Sequence, residues 1–139
     1  MQEIVRHALD ARRYAYAPYS GYAVGACLLG GNGRLYTGCN IENASYGLTL
    51  CAERVAVAKM VSDGCQEILE VAVATPDAAA PCGMCLQTLA EFAIELNHVL
   101  VHCSDASGLA RSMALHELLP HAFCSEKVRQ NRRGSGESE

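Results

Sequence analysis

Several things are missing from this sequence, and each absence narrows the field. No stretch stays apolar for the ~20 residues that a membrane-spanning helix needs, so no membrane partner is expected. No dense basic run precedes Arg129, Arg132 and Arg133, and the net charge is −4 with a pI of about 5.7. A duplex-binding protein carries a basic face, so no nucleic-acid partner is expected either. The first ten residues hold Glu3, Arg6, His7 and Asp10 among their apolar neighbours. Those charges interrupt the apolar segment of a signal peptide and lead to the expectation of a cytoplasmic protein. There is no tryptophan, and there are only two phenylalanines. No internal repeat and no second domain is visible. Residues 1–128 read as one domain and the polar residues 129–139 as a disordered tail.

What is present is globular composition: 139 residues, 50% hydrophobic and 19% charged. A chain of this length buries roughly two-thirds of its unfolded surface. The eight cysteines are a high count. In a short exported chain they would suggest disulfides; in a longer, apolar chain without an export signal, reduced cysteines and a metal fit better. Cys27, Cys39, Cys65, Cys103 and Cys124 have no pair spacing and read as small core residues.

Residues 2–14 read as an amphipathic helix, with Ile4, Val5, Ala8 and Leu9 on one face. A strand is expected over 22–29, a glycine-rich hairpin turn over 30–33 and a returning strand over 34–40. The turn is assigned because its successive positions call for positive φ. Residues 41–50 read as a loop and 51–61 as a helix, with Val55 and Ala58 on its apolar stripe. The β-branched run 68–75 suits a strand buried on both faces. A loop at 76–81, a helix at 82–96, strands at 98–103 and 110–114 and a helical turn at 116–119 complete the order. A hairpin followed by alternating helices and strands implies an α/β protein with one mixed sheet and helices on both faces.

Two segments carry the chemistry: Cys51-Ala52-Glu53-Arg54 and Pro81-Cys82-Gly83-Met84-Cys85. Each opens an expected helix after a loop. A Cys-x-x-Cys at a helix start suits a disulfide or a tetrahedral metal. A third cysteine at a second helix start, with an acid two positions on, favours the metal. Three thiolates leave a fourth zinc position open for water, as in catalytic sites. Glu53 is not needed as a ligand and is placed to move protons. Three thiolates around Zn²⁺ total −1, and Glu53 adds to that charge; the two helix N-termini and Arg54 compensate. Two other readings of the cysteines stand beside this one. A redox Cys82–Cys85 pair is one. A structural zinc with His98, His102, Cys103 or Cys124 as fourth ligand is the other, although none of these has ligand spacing.

At these residues the sequence resembles the cytidine deaminase family in its small homotetrameric form. Its zinc signature is His or Cys, any residue, Glu, followed by Pro-Cys-x-x-Cys. The likeness extends through Tyr16-Ala17-Pro18-Tyr19-Ser20, Val24-Gly25-Ala26, the run from Gly38 to Ala44, and Leu118-Leu119-Pro120. The resemblance implies a three-layer α/β/α cytidine deaminase-like fold with a five-stranded mixed sheet. It implies one zinc per chain on Cys51, Cys82 and Cys85. It also implies hydrolytic deamination of cytidine and deoxycytidine to uridine and deoxyuridine, with zinc hydroxide attacking C4 and Glu53 as proton shuttle. Asn40 and Glu42 align with the residues that bind the ribose hydroxyls, and Ala52 and Tyr22 with those beside the base. Tyr46 and Phe123 align with residues that reach a neighbouring subunit's site, so a homotetramer with shared sites is implied.

The sequence departs from the family at four places, one of them the alanine-rich loop from Pro76 to Ala80, where the family often carries polar residues and proline. Tyr22 stands for a usual Phe, Leu86 for the Arg of the usual Cys-Arg-Gln, and Met84 for a small residue. Losing the arginine would shift charge compensation onto Arg54. These changes keep two alternatives open: a deaminase for 4-substituted or antibiotic pyrimidine nucleosides, and a non-catalytic nucleoside-binding zinc protein.

Overall fold

The computed structural model describes residues 2–124; the tail expected at 129–139 lies outside them. Helix α1 (Glu3–Arg12) buries Ile4, Val5, Ala8 and Ala11 on the stripe that its sequence spacing sets. Strands β1 (Gly25–Gly30) and β2 (Leu35–Cys39) form the expected hairpin. Helix α2 (Ala52–Ser62), β3 (Ile68–Ala74), α3 (Gly83–Glu91), β4 (Leu100–Asp105), β5 (Gly108–Ala114) and the short α4 (Leu115–Leu118) follow. No helix among the described residues is long and apolar enough to cross a membrane.

The five strands lie in the order β2-β1-β3-β4-β5. β3 runs parallel to β4, and every other pairing in this sheet is antiparallel. α1 covers one face, where Ile4, Val5 and Ala8 meet Cys27, Ala72 and Ala74. On the other face Val57, Met60, Leu86 and Leu89 meet Leu28, Val71, Val73 and Val101. The expected three-layer arrangement is therefore present. β3 sits between these layers with Val71, Ala72, Val73 and Ala74 all buried, as its β-branched run implies.

The register fixes where a site can form. Gly25 pairs with both Cys39 and Ala74, so the start of β1 and the ends of β2 and β3 share one end of the sheet. The chain leaves β2 and β3 there and returns as α2 and α3. Both helix N-termini consequently converge at the carboxyl ends of these strands, where open α/β sheets bind ligands.

Four details differ from the sequence reading. The buried face of α2 is Ala52, Glu53, Ala56, Val57 and Met60, not the stripe through Val55 and Ala58. Gly38 explains this: a Cβ there would stand 2.3 Å from the Ala52 carbonyl oxygen and 2.7 Å from the Ala56 nitrogen, so α2 lies directly on the β2 backbone. In the hairpin, only Gly33 has positive φ. At Gly30 and Gly31 a Cβ would meet only side-chain atoms, Cys65 Sγ at 2.9 Å and the flexible Glu67 Oε1 at 2.3 Å respectively. α3 ends at Glu91 rather than continuing to Leu96, and a 3-10 turn occupies Leu96–His98. Finally, Cys27, Cys65 and Cys103 are buried and Cys39 is half-buried, but Cys124 is exposed and is not a core residue.

Candidate active site

Cys51 is the N-cap of α2 and Cys82 the N-cap of α3, each with extended backbone (ψ 151° and 168°). Cys85 follows in the first turn of α3. The three Sγ atoms lie within 4.8 Å of one another, the one such cluster among the described residues. Tetrahedral zinc with thiolates at about 2.3 Å needs sulfurs roughly 3.8 Å apart. The donor set therefore fits a zinc ion. No histidine, cysteine or acid among the described residues joins the cluster as a fourth ligand, so His98, His102, Cys103 and Cys124 do not complete a structural site.

The electrostatics suit a cation held between crowded sulfurs. The hydrogen bond from Cys85, followed by the Arg54 guanidinium, pulls Cys51 down to about 5. The same contact, together with burial, pushes Cys85 upward. One thiolate thus stands beside a retained thiol proton; a divalent ion would displace that proton. Helix N-termini favour the anionic form further. Arg54 donates from Nη2 to the Thr49 carbonyl at 2.8 Å. Its Nε is buried without a hydrogen-bond partner among the described residues, which leaves a cationic N–H available at the start of α2. Leu86 is buried in the main core, so no cation stands at that position and Arg54 carries the compensation.

Glu53 is the second residue of α2 and is 4% exposed. Burial pushes its carboxyl up to about 7, and the Cys51 thiolate adds to the rise. A carboxyl poised near neutrality can both take and return a proton.

The other expected residues fall into two groups. Asn40 is buried; its Oδ1 accepts from the Val24 N–H at 3.0 Å and its Nδ2 donates to the Tyr22 carbonyl at 2.8 Å. Glu42 accepts from the Tyr19 and Ser20 N–H groups and from the Ser20 hydroxyl, and the hydroxyl bond above all holds its carboxyl below the usual range. Asn40, Glu42 and Tyr22 therefore share one segment at this end of the sheet, and Ala52 is buried at the start of α2. Tyr46 and Phe123 are not gathered in: they are 76% and 79% exposed, with Tyr46 edge-on to Tyr19.

Two further residues are missed by sequence reasoning. Gln87 donates to the Phe123 carbonyl at 2.7 Å and accepts from its N–H at 3.2 Å, which ties Phe123 to α3 next to the cysteines. Asp77 accepts from the Tyr22 hydroxyl at 2.5 Å. The position of Gln87, two residues after Cys85, is a usable signal; Asp77, in an alanine-rich loop, offers none. A cleft of about 490 Å³ between the end of α3 and residues 116–124 contains none of the expected site residues.

A hydrolytic metalloenzyme of α/β architecture, built around a three-thiolate zinc site, is the class that this sheet and this cluster define. Comparison with known proteins makes the assignment specific. The family model for the cytidine and deoxycytidylate deaminase zinc-binding region matches residues 1–103. A cytidine deaminase from Halalkalibacterium halodurans is 42% identical over 129 residues, covering 91% of this chain and 96% of that one. The crystal structure of cytidine deaminase from Burkholderia pseudomallei superposes with a TM-score of 0.79 at 37% identity, covering 88% of this chain and 100% of that one. That from Mycobacterium tuberculosis gives 0.76 at 40% identity over 88% of this chain and 95% of that one. The chain belongs to the cytidine and deoxycytidylate deaminase family.

Proposed function

We propose that the protein catalyses zinc-dependent hydrolytic deamination of cytidine and deoxycytidine to uridine and deoxyuridine. The observation that carries this reading is a buried carboxyl, Glu53, set beside three convergent cysteine sulfurs at the mouths of two helices. Cys51, Cys82 and Cys85 would hold the zinc, which when bound supplies an activated water for attack on the amidine carbon. Glu53 would move two protons in turn: one from the activated water to the pyrimidine N3, and a second from the added hydroxyl to the departing amine, which leaves as ammonia. Arg54 offsets the thiolate charge. Asn40 and Glu42 bind the sugar diol, the Tyr22 ring lies against the base, and the Ala52 backbone contacts the base edge.

A nucleoside is favoured over a nucleotide because the sugar-side segment holds Glu42 and no basic cluster. Tyr46 and Phe123, strongly exposed aromatic side chains, support a homotetramer in which each reaches a neighbouring subunit's site. The protein is proposed to act in the cytoplasm. The test is ammonia release from cytidine, deoxycytidine and CMP side by side. Turnover of both nucleosides with CMP at least ~100-fold poorer in kcat/KM supports the reading, since that ratio corresponds to about 2.7 kcal/mol. Turnover of CMP alone overturns it.

A further inference from the structure

One polar link at this end of the sheet has no part in the proposed reaction. Tyr22 Oη donates to Asp77 Oδ1 at 2.5 Å. Tyr22 belongs to the segment whose backbone Asn40 and Glu42 hold. Asp77 belongs to the loop that runs from the end of β3 into Cys82. The bond therefore joins the sugar-side wall of the site to the loop that delivers the zinc cysteines.

The Asp77 end is organised independently of the tyrosine. Thr75 is buried, and its Oγ1 donates to Asp77 Oδ1 at 3.2 Å while accepting from the Ala79 N–H at 2.9 Å. Ala78, between them, has a φ of 56°, a left-handed conformation that alanine adopts only at a cost. A loop bent against its own preference thus keeps a carboxylate aimed at Tyr22. The Tyr22 hydroxyl in turn holds the Asp77 carboxyl below its usual range, so the acceptor is ionised and the bond is charge-assisted. Tyr22 is held at both ends, by Asn40 on its carbonyl and by Asp77 on its hydroxyl, which fixes the line along which its ring lies.

We infer that Asp77 is a positioning residue for nucleoside binding, fixing through the Tyr22 hydroxyl the place of the ring that receives the pyrimidine. The inference rests on the cytidine deaminase reading above. A phenylalanine at position 22 would present the same ring without the tether, so the hydroxyl adds preorganisation. Preorganisation of a binding surface appears in KM, because the groups that move protons are untouched.

The experiment measures kcat, KM for cytidine and zinc content in the wild type, Tyr22→Phe, Asp77→Ala, the double variant and Asp77→Asn. Tyr22→Phe and Asp77→Ala are each expected to raise KM roughly three- to tenfold, with kcat within about twofold and zinc unchanged. The double variant is expected to be no worse than Asp77→Ala, because both changes remove one bond. Asp77→Asn keeps an acceptor and is expected to recover most of the loss. An unchanged KM in both single variants, or additive losses in the double, overturns the inference. So does a fall in zinc content with kcat, since that assigns Asp77 to holding the metal loop. Wild-type turnover with such results leaves the deaminase reading standing; a wild type inert towards cytidine removes that reading and this inference together.

Discussion

Glu53 and Arg54 stand next to each other in the first turn of α2 and face opposite demands. Glu53 must stay dry enough to hold its carboxyl near neutrality, and Arg54 must stay close enough to the sulfurs to balance them. Glu53→Gln keeps the shape and loses the proton shuttle. It is expected to bind about one zinc per chain and to lose turnover by roughly 10²–10⁴-fold, read by metal analysis and ammonia release. Leu86 leaves the balance resting on Arg54, because that position is filled by core packing instead of a second cation. The cysteine spacing and the acid two positions after Cys51 are legible in the sequence. The Asp77 contact is not, because a loop carboxylate becomes meaningful only once the fold brings Tyr22 beside it.

Helix α2 shows how an element delivers these residues. It rests on β2 at Gly38, where nothing larger than hydrogen fits beneath Ala52 and Ala56. Gly38→Ala is expected to push α2 off the sheet, destabilising the fold by at least ~2 kcal/mol and lowering Tm by roughly 5 °C or more in a melting experiment. Because the same helix carries Cys51 and Glu53, activity should fall with stability. The far end of α2 is braced at Asp63, which accepts from the Tyr36 hydroxyl at 2.5 Å and from Arg34 at 3.1 Å. Tyr36, then Arg34, hold the Asp63 carboxyl below its ordinary 3.8. A carboxyl lowered on folding stabilises above its unfolded pKa, and that contribution is lost as pH falls through the folded value. The Tm difference between wild type and Tyr36→Phe should therefore hold above the ordinary carboxyl value and shrink as pH falls below it through the lowered folded value; a difference that stays constant until acid unfolding contradicts the bracing role. Element boundaries are legible where a turn residue marks them and obscure where packing decides. α1 and β3 follow their sequence patterns closely, and the hairpin turns where its glycines cluster, although only Gly33 has the positive φ expected of that turn. The end of α3 does not, because no glycine or proline lies between Glu91 and Leu96. Ala93 is buried and Phe92 and Leu96 pack against the core from outside the α-helix, so the apolar spacing runs on past its end. The buried stripe of α2 departs from its sequence pattern for a related reason: the close approach at Gly38, not the helix's own hydrophobicity, selects which side faces inward.

Across the whole molecule, the sheet register brings two helix starts to one end, and the two cysteine motifs meet there although α2, β3 and a loop separate them in the chain. Pro81 closes the loop after β3, and Cys82 then caps α3. Their convergence depends on the order of strands and not on sequence proximity. Zinc bound at both helix starts would therefore tie two separate parts of the chain together. Removing it with a chelator is expected to lower Tm and to make Tm depend on free zinc concentration, because ligand binding to the folded state stabilises by mass action. The exposure of Tyr46 and Phe123 belongs to this scale as well. Phe123→Ala is expected to reduce kcat/KM by at least ~10-fold while leaving zinc content unchanged, with the assembly state read on a sizing column. A fully active monomer would contradict the proposed sharing of the site between subunits. The decisive measurement is zinc per chain together with ammonia release from cytidine, on the wild type and Glu53→Gln in parallel. About one zinc is expected in both proteins, with turnover in the wild type and its loss in the variant. Turnover that survives Glu53→Gln, or a wild type that deaminates cytidine without zinc, would contradict a zinc-and-glutamate mechanism.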